Sequence, residues 1–287
     1  MNDQDQIQQH LRDIEETHGV RVILAVESGS RAWGFESPDS DFDVRFVYRE
    51  PEHEAFRLMP GRDVIETARP VHTDGEELPA DLVGWSLSKA LKLGVASNPQ
   101  LSEWMTAPVV YRSEPEADDF LAPLTRESAP RVLAHHYRGL AKRTMKDHVE
   151  NVMAPRPKKL LYAVRAALAA GWMVDHPEVG ASPPVVFDQL REESRPRGRL
   201  LNSSRMNGLV DELVSLKKAR PEKSGTRATG LIEQWLLEET GLLETEIKEI
   251  PEHHVDPEIA ERAWFRAYPD IFFDKPRKED DAPSAEV

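Results

Sequence analysis

The 287-residue chain contains no cysteine, which excludes disulfides and thiolate-bound zinc. It has no uninterrupted apolar run of about 18 residues, the length needed to cross a bilayer as a helix. Its N-terminus is polar and lacks the apolar core of a signal peptide, so the expectation is a soluble cytoplasmic protein without a membrane partner. No repeat of fixed period, no H-E-x-x-H pattern and neither Gly-rich phosphate motif, Walker or dinucleotide, occurs. The adjacent pairs His135-His136 and His253-His254 point in different directions on a helix and do not converge on a metal.

Positive charge is also scarce. Thirty-seven Lys and Arg face 51 Asp and Glu, a net charge of −14, which argues against broad coating of nucleic acid. The distribution is uneven. Residues 131–165 hold Arg131, Arg138, Lys142, Arg143, Lys146, Arg156, Lys158, Lys159 and Arg165 against only Asp147 and Glu150. A local basic surface suits a polyanionic substrate, and a solvated helix face fits the same residues.

What is present is concentrated between residues 20 and 48. An apolar run, Val20 to Val26, leads into Glu27-Ser28-Gly29-Ser30-Arg31-Ala32-Trp33-Gly34, and Ser40-Asp41-Phe42-Asp43 follows before Val44-Arg45-Phe46-Val47-Tyr48. Residues two apart on a strand share a face, so Asp41 and Asp43 are expected to present two carboxylates together. At an effective dielectric of about 20, two such charges roughly 4 Å apart repel by about 4 kcal/mol. A cation should therefore sit between them, and hard oxygen donors favour Mg²⁺ or Mn²⁺. Gly29 admits unusual backbone angles and close ligand approach. Backbone N–H groups at such a turn bind anions, the Ser30 hydroxyl can donate to phosphate, and Arg31 adds charge. A phosphate cradle beside metal-binding carboxylates means nucleotide chemistry.

The flanking pattern predicts a first helix over 3–18, strands at 20–26, 42–48, 62–67 and 78–84, and a polar loop at 69–77. A helix over 86–96 follows, then a second helix capped by Ser97 with Pro99 in its first turn, and a closing strand at 109–111. This is an α+β arrangement: a mixed sheet with helices packed on it over residues 1–112. An acidic, Pro-punctuated linker with a short helix spans 113–130. An all-helical C-terminal domain is expected over 131–274, with helices at 130–152, 157–175, 184–193, 205–219, 228–239 and 257–266. A charged tail at 275–287 reads as disordered.

The motif GSRAWGFESPDSDFDVRFVY resembles the DNA polymerase β-type nucleotidyltransferase superfamily, and within it the RlaP-like branch linked to RNA repair. Asp81-Leu82-Val83-Gly84-Trp85, Lys89-Ala90-Leu91, Asn98-Pro99, Glu103-Trp104, Val110-Tyr111 and Lys158-Lys159-Leu160-Leu161-Tyr162-Ala163-Val164-Arg165 extend the likeness over about residues 20–175. Ser86 departs from it, since the family often carries an acidic residue there. The resemblance implies a third metal-binding carboxylate at Asp81, with Glu66, Asp74 and Glu77 as rivals, and a triphosphate contact from Lys89. Lys158, Lys159, Tyr162 and Arg165 become candidate RNA contacts, combining phosphate pairing with base stacking. A helix packing its tyrosine against the first domain fits the same residues.

The implied activity is Mg²⁺-dependent transfer of a nucleoside monophosphate from a nucleoside triphosphate to a hydroxyl. Asp41, Asp43 and Asp81 would be catalytic, and an RNA 3′ end the favoured acceptor. Nucleotidylation of a protein acceptor, such as AMPylation, is the alternative enzyme. A catalytically idle nucleotide- or RNA-binding module is the alternative of another class.

Overall fold

The computed structural model describes residues 2–59, 61–73, 75–150, 152, 155–194, 204–219 and 230–269. Asp74 and the charged tail lie outside them. The architecture is α+β, a five-stranded mixed sheet followed by helices.

Helix α1 (Asp3–His18) starts where the Asn2 side chain accepts the Asp5 N–H and stops at Gly19, with φ +63°. Its buried stripe of Ile7, Leu11 and Ile14 covers one face of the sheet, and each such side chain contributes about 1.5–3 kcal/mol on leaving water. Strands β1 (Arg21–Glu27), β2 (Phe42–Arg49), β3 (Val64–Thr73), β4 (Glu76–Ser86) and β5 (Val110–Ser113) assemble in the order β3-β4-β2-β1-β5. All neighbours are antiparallel except β2 and β4, which run parallel with Asp43 opposite Asp81.

The alternation works as the sequence requires. Val44, Phe46 and Tyr48, together with Leu78, Ala80 and Leu82, pack under α1. The opposite face is covered near Val47 and Trp85 by α4 (Leu87–Val95), α5 (Pro99–Met105) and α6 (Pro115–Thr125). Trp104 is a packing residue there, 4.0 Å from Trp85 between ring centroids.

Three local expectations change. The polar loop expected at 69–77 is instead the distal half of the β3–β4 hairpin, with Pro70 opposite Pro79. Proline and charge are tolerated because β3 is an edge strand, and Gln6 of α1 pairs with the backbone of His72 there. The cap of α5 is Asn98, not Ser97. Ser97 takes φ +51° and its hydroxyl accepts the Ala129 N–H. The segment read as a linker carries α6, which buries Ala117, Phe120, Leu121 and Leu124 against the sheet layer.

Between β2 and β3 lies the short α3 (Glu52–Ala55). The helical region comprises α7 (Pro130–His148), α8 (Pro157–Asp175), α9 (Phe187–Glu193), α10 (Ser204–Ala219) and α11 (Gly230–Glu246). Helix α8 is its centre, apolar nearly all round. Helix α12 (Pro257–Ala267) leaves this bundle and buries Ala263 and Ala267 with α4 and α6. The chain therefore returns to the sheet after completing the helical cluster.

Candidate active site

The short helix α2 (Gly29–Trp33) opens directly after β1, with Gly29 at φ +60°. A Cβ on residue 29 would run into the Asp43 carboxylate, so glycine is required here by conformation and by space. Ser28 gives the helix no side-chain cap. The N–H groups of its first turn lack an intrahelical acceptor by geometry and lie beside the Asp43 carboxylate.

The parallel register sets Asp43 and Asp81 side by side on the sheet face opposite α1. One nitrogen of Arg45 bridges them, 3.0 Å from Asp43 Oδ1 and 3.1 Å from Asp81 Oδ2. The other nitrogen donates to the carbonyls of Val44 and Asp81 at 3.1 and 2.9 Å. The positive group between carboxylates here is Arg45, and the pair it bridges is Asp43 and Asp81. Asp41 stands just ahead of β2, exposed.

Two hard oxygen donors on adjacent strands converging on one cationic position fit a divalent ion of the Mg²⁺ type. Among the described residues, no group of three or more His, Cys, Asp or Glu is arranged for a metal. Of the three expected carboxylates, the register brings Asp43 and Asp81 together. Glu66 lies across from Val83 and Glu77 across from His72, so neither registers with Asp43.

Several expected contacts fall elsewhere. The Ser30 hydroxyl turns inward, 3 % exposed and 3.4 Å from Ser40 Oγ. Arg31 donates to the carbonyls of Ser40 at 2.8 Å and Asp41 at 3.2 Å and lies over the Phe42 ring. It staples the loop back onto itself. Lys89 pairs with Asp63 at 3.2 Å. It follows the far end of β4, five residues beyond Asp81, or about 16 Å at strand rise. Its partner Asp63 thus lies towards that end of the sheet and not beside Asp43.

On α8, Arg165 is buried. It pairs with Glu103 at 3.2 Å and lies 4.3 Å from the Trp33 ring centre. Tyr162 packs edge-on against Trp33 at 4.8 Å, as expected of a helix packing its tyrosine against the first domain. Lys158 and Lys159 sit near the outer side of that ring, half-buried. Arg131 and Arg138 are tied to Glu252 and Glu244. Lys142, Arg143, Lys146 and Arg156 remain exposed.

One buried acid beside the site escaped the sequence reading. Glu27 ends β1, 2 % exposed, accepting the Asp43 N–H at 2.8 Å and the Tyr111 hydroxyl at 2.6 Å. Burial pushes its carboxyl up to about 7, against the opposing pull of the Tyr111 and Asp43 hydrogen bonds. The available signal was an acid closing an otherwise apolar strand immediately before the Gly-Ser turn.

The chain is 35 % identical over 243 residues to the uncharacterized protein YcgL of Bacillus subtilis (strain 168), 84 % of each chain. A crystal structure of a nucleotidyltransferase-like protein from Exiguobacterium sibiricum 255-15 aligns over 94 % of this chain and 81 % of that one. Its identity is 13 % and its TM-score 0.31, a likeness too loose to carry any statement about function. The family model is decisive. The RlaP model, described as the RNA repair pathway DNA polymerase beta family, matches residues 4–266; the chain belongs to that family and is a nucleotidyltransferase of polymerase β type.

Proposed function

We propose that the protein transfers a nucleoside monophosphate from a nucleoside triphosphate to the 3′ hydroxyl of an RNA, in an Mg²⁺-dependent reaction. The observation that carries this reading is the register of Asp43 with Asp81 beside a glycine required by its left-handed backbone and by the nearness of the Asp43 carboxylate. Asp43 and Asp81 would hold the ion, with Asp41 at the entrance of the strand. When bound, such an ion supplies Lewis-acid stabilisation of the charge developing on the phosphoryl oxygens.

The chain's own groups do the remainder. The N–H groups at Gly29 and Ser30 hold the phosphates, as helix starts hold anions. Asp81, the more open carboxylate at 52 % exposure against 30 % for Asp43, accepts the proton of the attacking hydroxyl. That oxygen bonds to the α-phosphorus as the bond to the pyrophosphate oxygen breaks in line. The RNA reading draws support from the family and from the exposed Lys142, Arg143, Lys146 and Arg156 near Lys158 and Lys159.

The test is incubation with each labelled ribonucleoside triphosphate, Mg²⁺, total RNA and total protein. Pyrophosphate release with label on RNA is expected. Asp43→Asn should lower it by about a thousandfold or more, since several kcal/mol of charge stabilisation are lost, while far-UV circular dichroism stays unchanged. Label on protein would replace the RNA acceptor, and no pyrophosphate release under any condition would sink the reading.

A further inference from the structure

The loop from Gly34 to Asp41 joins the phosphate turn to the aspartate strand, and a helix more than 160 residues downstream holds it. Lys217, on α10, is 2 % exposed, and its Nζ donates to Ser37 Oγ at 2.7 Å and Ser40 Oγ at 3.0 Å. Ser37 and Ser40 are themselves 1 % exposed. Ser40 is the hub. Its hydroxyl also accepts the Ser37 N–H at 2.9 Å and lies beside the Ser30 hydroxyl, while its carbonyl accepts from Arg31.

A hydroxyl oxygen has two acceptor positions. At Ser40 the ammonium of Lys217 and the N–H of Ser37 are the closest donors, with the Ser30 hydroxyl a longer third at 3.4 Å, and together they fix the rotamer of Ser40. Burying an ammonium costs several kcal/mol before its partners offset it. A surface lysine would serve a purely packing role at far less cost. The observed place puts the ammonium against Ser37 and Ser40, and Ser40 in turn accepts from Ser30 of the phosphate turn.

We propose that Lys217 is a positioning residue of the nucleotide site: from the helical region it locks Ser37 and Ser40, and its charge complements the triphosphate anion held at Gly29-Ser30. This rests on the nucleotidyltransferase reading above. It adds that the α10 helix is part of the triphosphate site, so helical region and sheet cannot bind nucleotide separately.

The experiment is calorimetric titration of the full chain with each of the four ribonucleoside triphosphates, beside amide hydrogen exchange of residues 34–41. Lys217→Met keeps the side chain's length and removes its charge and donors. Affinity should fall about tenfold or more, the loss of a hydrogen-bonded charge. Exchange at Ser37 and Ser40 should accelerate, KM should rise more than kcat falls, and Lys217→Arg should restore part of the affinity. Should Lys217→Met fail to fold, Ser37→Ala with Ser40→Ala, which keeps the lysine, makes the same test of the exchange rates and affinity. Wild-type affinity and exchange in the variant, with a wild type that binds triphosphate, would overturn this inference alone. A wild type that binds none of the four overturns it together with the nucleotide reading.

Discussion

Arg45 and Arg165 make the same kind of ion pair in opposite surroundings. Arg45 spans Asp43 and Asp81 at the end of the sheet, where the three side chains are 19 %, 30 % and 52 % exposed. Arg165 meets Glu103 between α8 and α5 at 4 % and 14 % exposure, with the Tyr137 hydroxyl on the same carboxylate oxygen and Trp33 under the guanidinium. Water reaches the first pair, so its cation can exchange with another. Little of it reaches the second, where removing one charge leaves the other largely stranded. An open pair is a place for a ligand, and a closed pair is a joint.

The sharpest way to break this distinction is Arg165→Met. The methionine fills much of the space but leaves the largely buried Glu103 carboxylate with the Tyr137 hydroxyl, and removing one partner of a fully buried pair costs about 3–5 kcal/mol, an upper bound here. Chemical denaturation followed by tryptophan fluorescence should show this loss. Adding Glu103→Gln should recover part of it, because no buried charge then remains. A single variant as stable as wild type would make Arg165 equivalent to Arg45 and dissolve the comparison.

Glu27 belongs to the closed class although it touches the open site, and its pH dependence sharpens the boundary. Its neighbours are Tyr111, the Asp43 N–H and carboxylate, and Arg31. The folded carboxyl titrates at about 7, above its ordinary value of 4.5. Below 4.5 both folded and unfolded chains are protonated there and nothing is lost. As pH rises from 4.5 to 7, the unfolded chain releases the proton first and stability falls; above 7 the loss is complete. Wild type should therefore lose about 2 kcal/mol relative to Glu27→Gln between pH 5 and pH 8. Denaturation at both pH values checks it, and parallel behaviour of the two proteins would place Glu27 in water's reach.

The open region was the more legible in sequence, for a physical reason. Asp43, Asp81 and Gly29 stand on or beside strands whose alternation fixes their face, and the apolar residues between them declare it. Asp43 and Asp81 could be placed on a face from local pattern alone, although their register came from a parallel pairing that no local pattern encodes. Lys89 was misplaced for that reason: only the pairing reveals that α4 starts at the other end of β4. The closed contacts were illegible because their partners lie far apart in the chain. Arg165 reads as one more basic residue in a basic segment until Glu103, 62 positions earlier, is brought against it. Lys217 and Ser37, 180 positions apart, are harder still. The hairpin at 69–77 failed differently. Its edge position tolerates proline and charge, so its sequence carries the signature of a loop.

The smallest effect is expected at Arg45 itself, and it tests the open half of the comparison. Arg45→Gln removes the charge but keeps a donor near the backbone carbonyls of Val44 and Asp81. Because solvent already screens the bridge, stability should change by less than about 1 kcal/mol. The loss of attraction is offset only by water, so Asp43 and Asp81 are left repelling each other across the vacated position. A divalent ion relieves that repulsion and no longer competes with a tethered guanidinium. The variant should thus bind Mn²⁺ more tightly than wild type, and its melting temperature should rise further on adding Mn²⁺ than wild type's does. Calorimetric titration and melting with and without EDTA measure both. If Arg45→Gln destabilises the fold as much as Arg165→Met and gains no Mn²⁺ affinity, the strand-end pair is a joint as well, and the metal must be sought elsewhere.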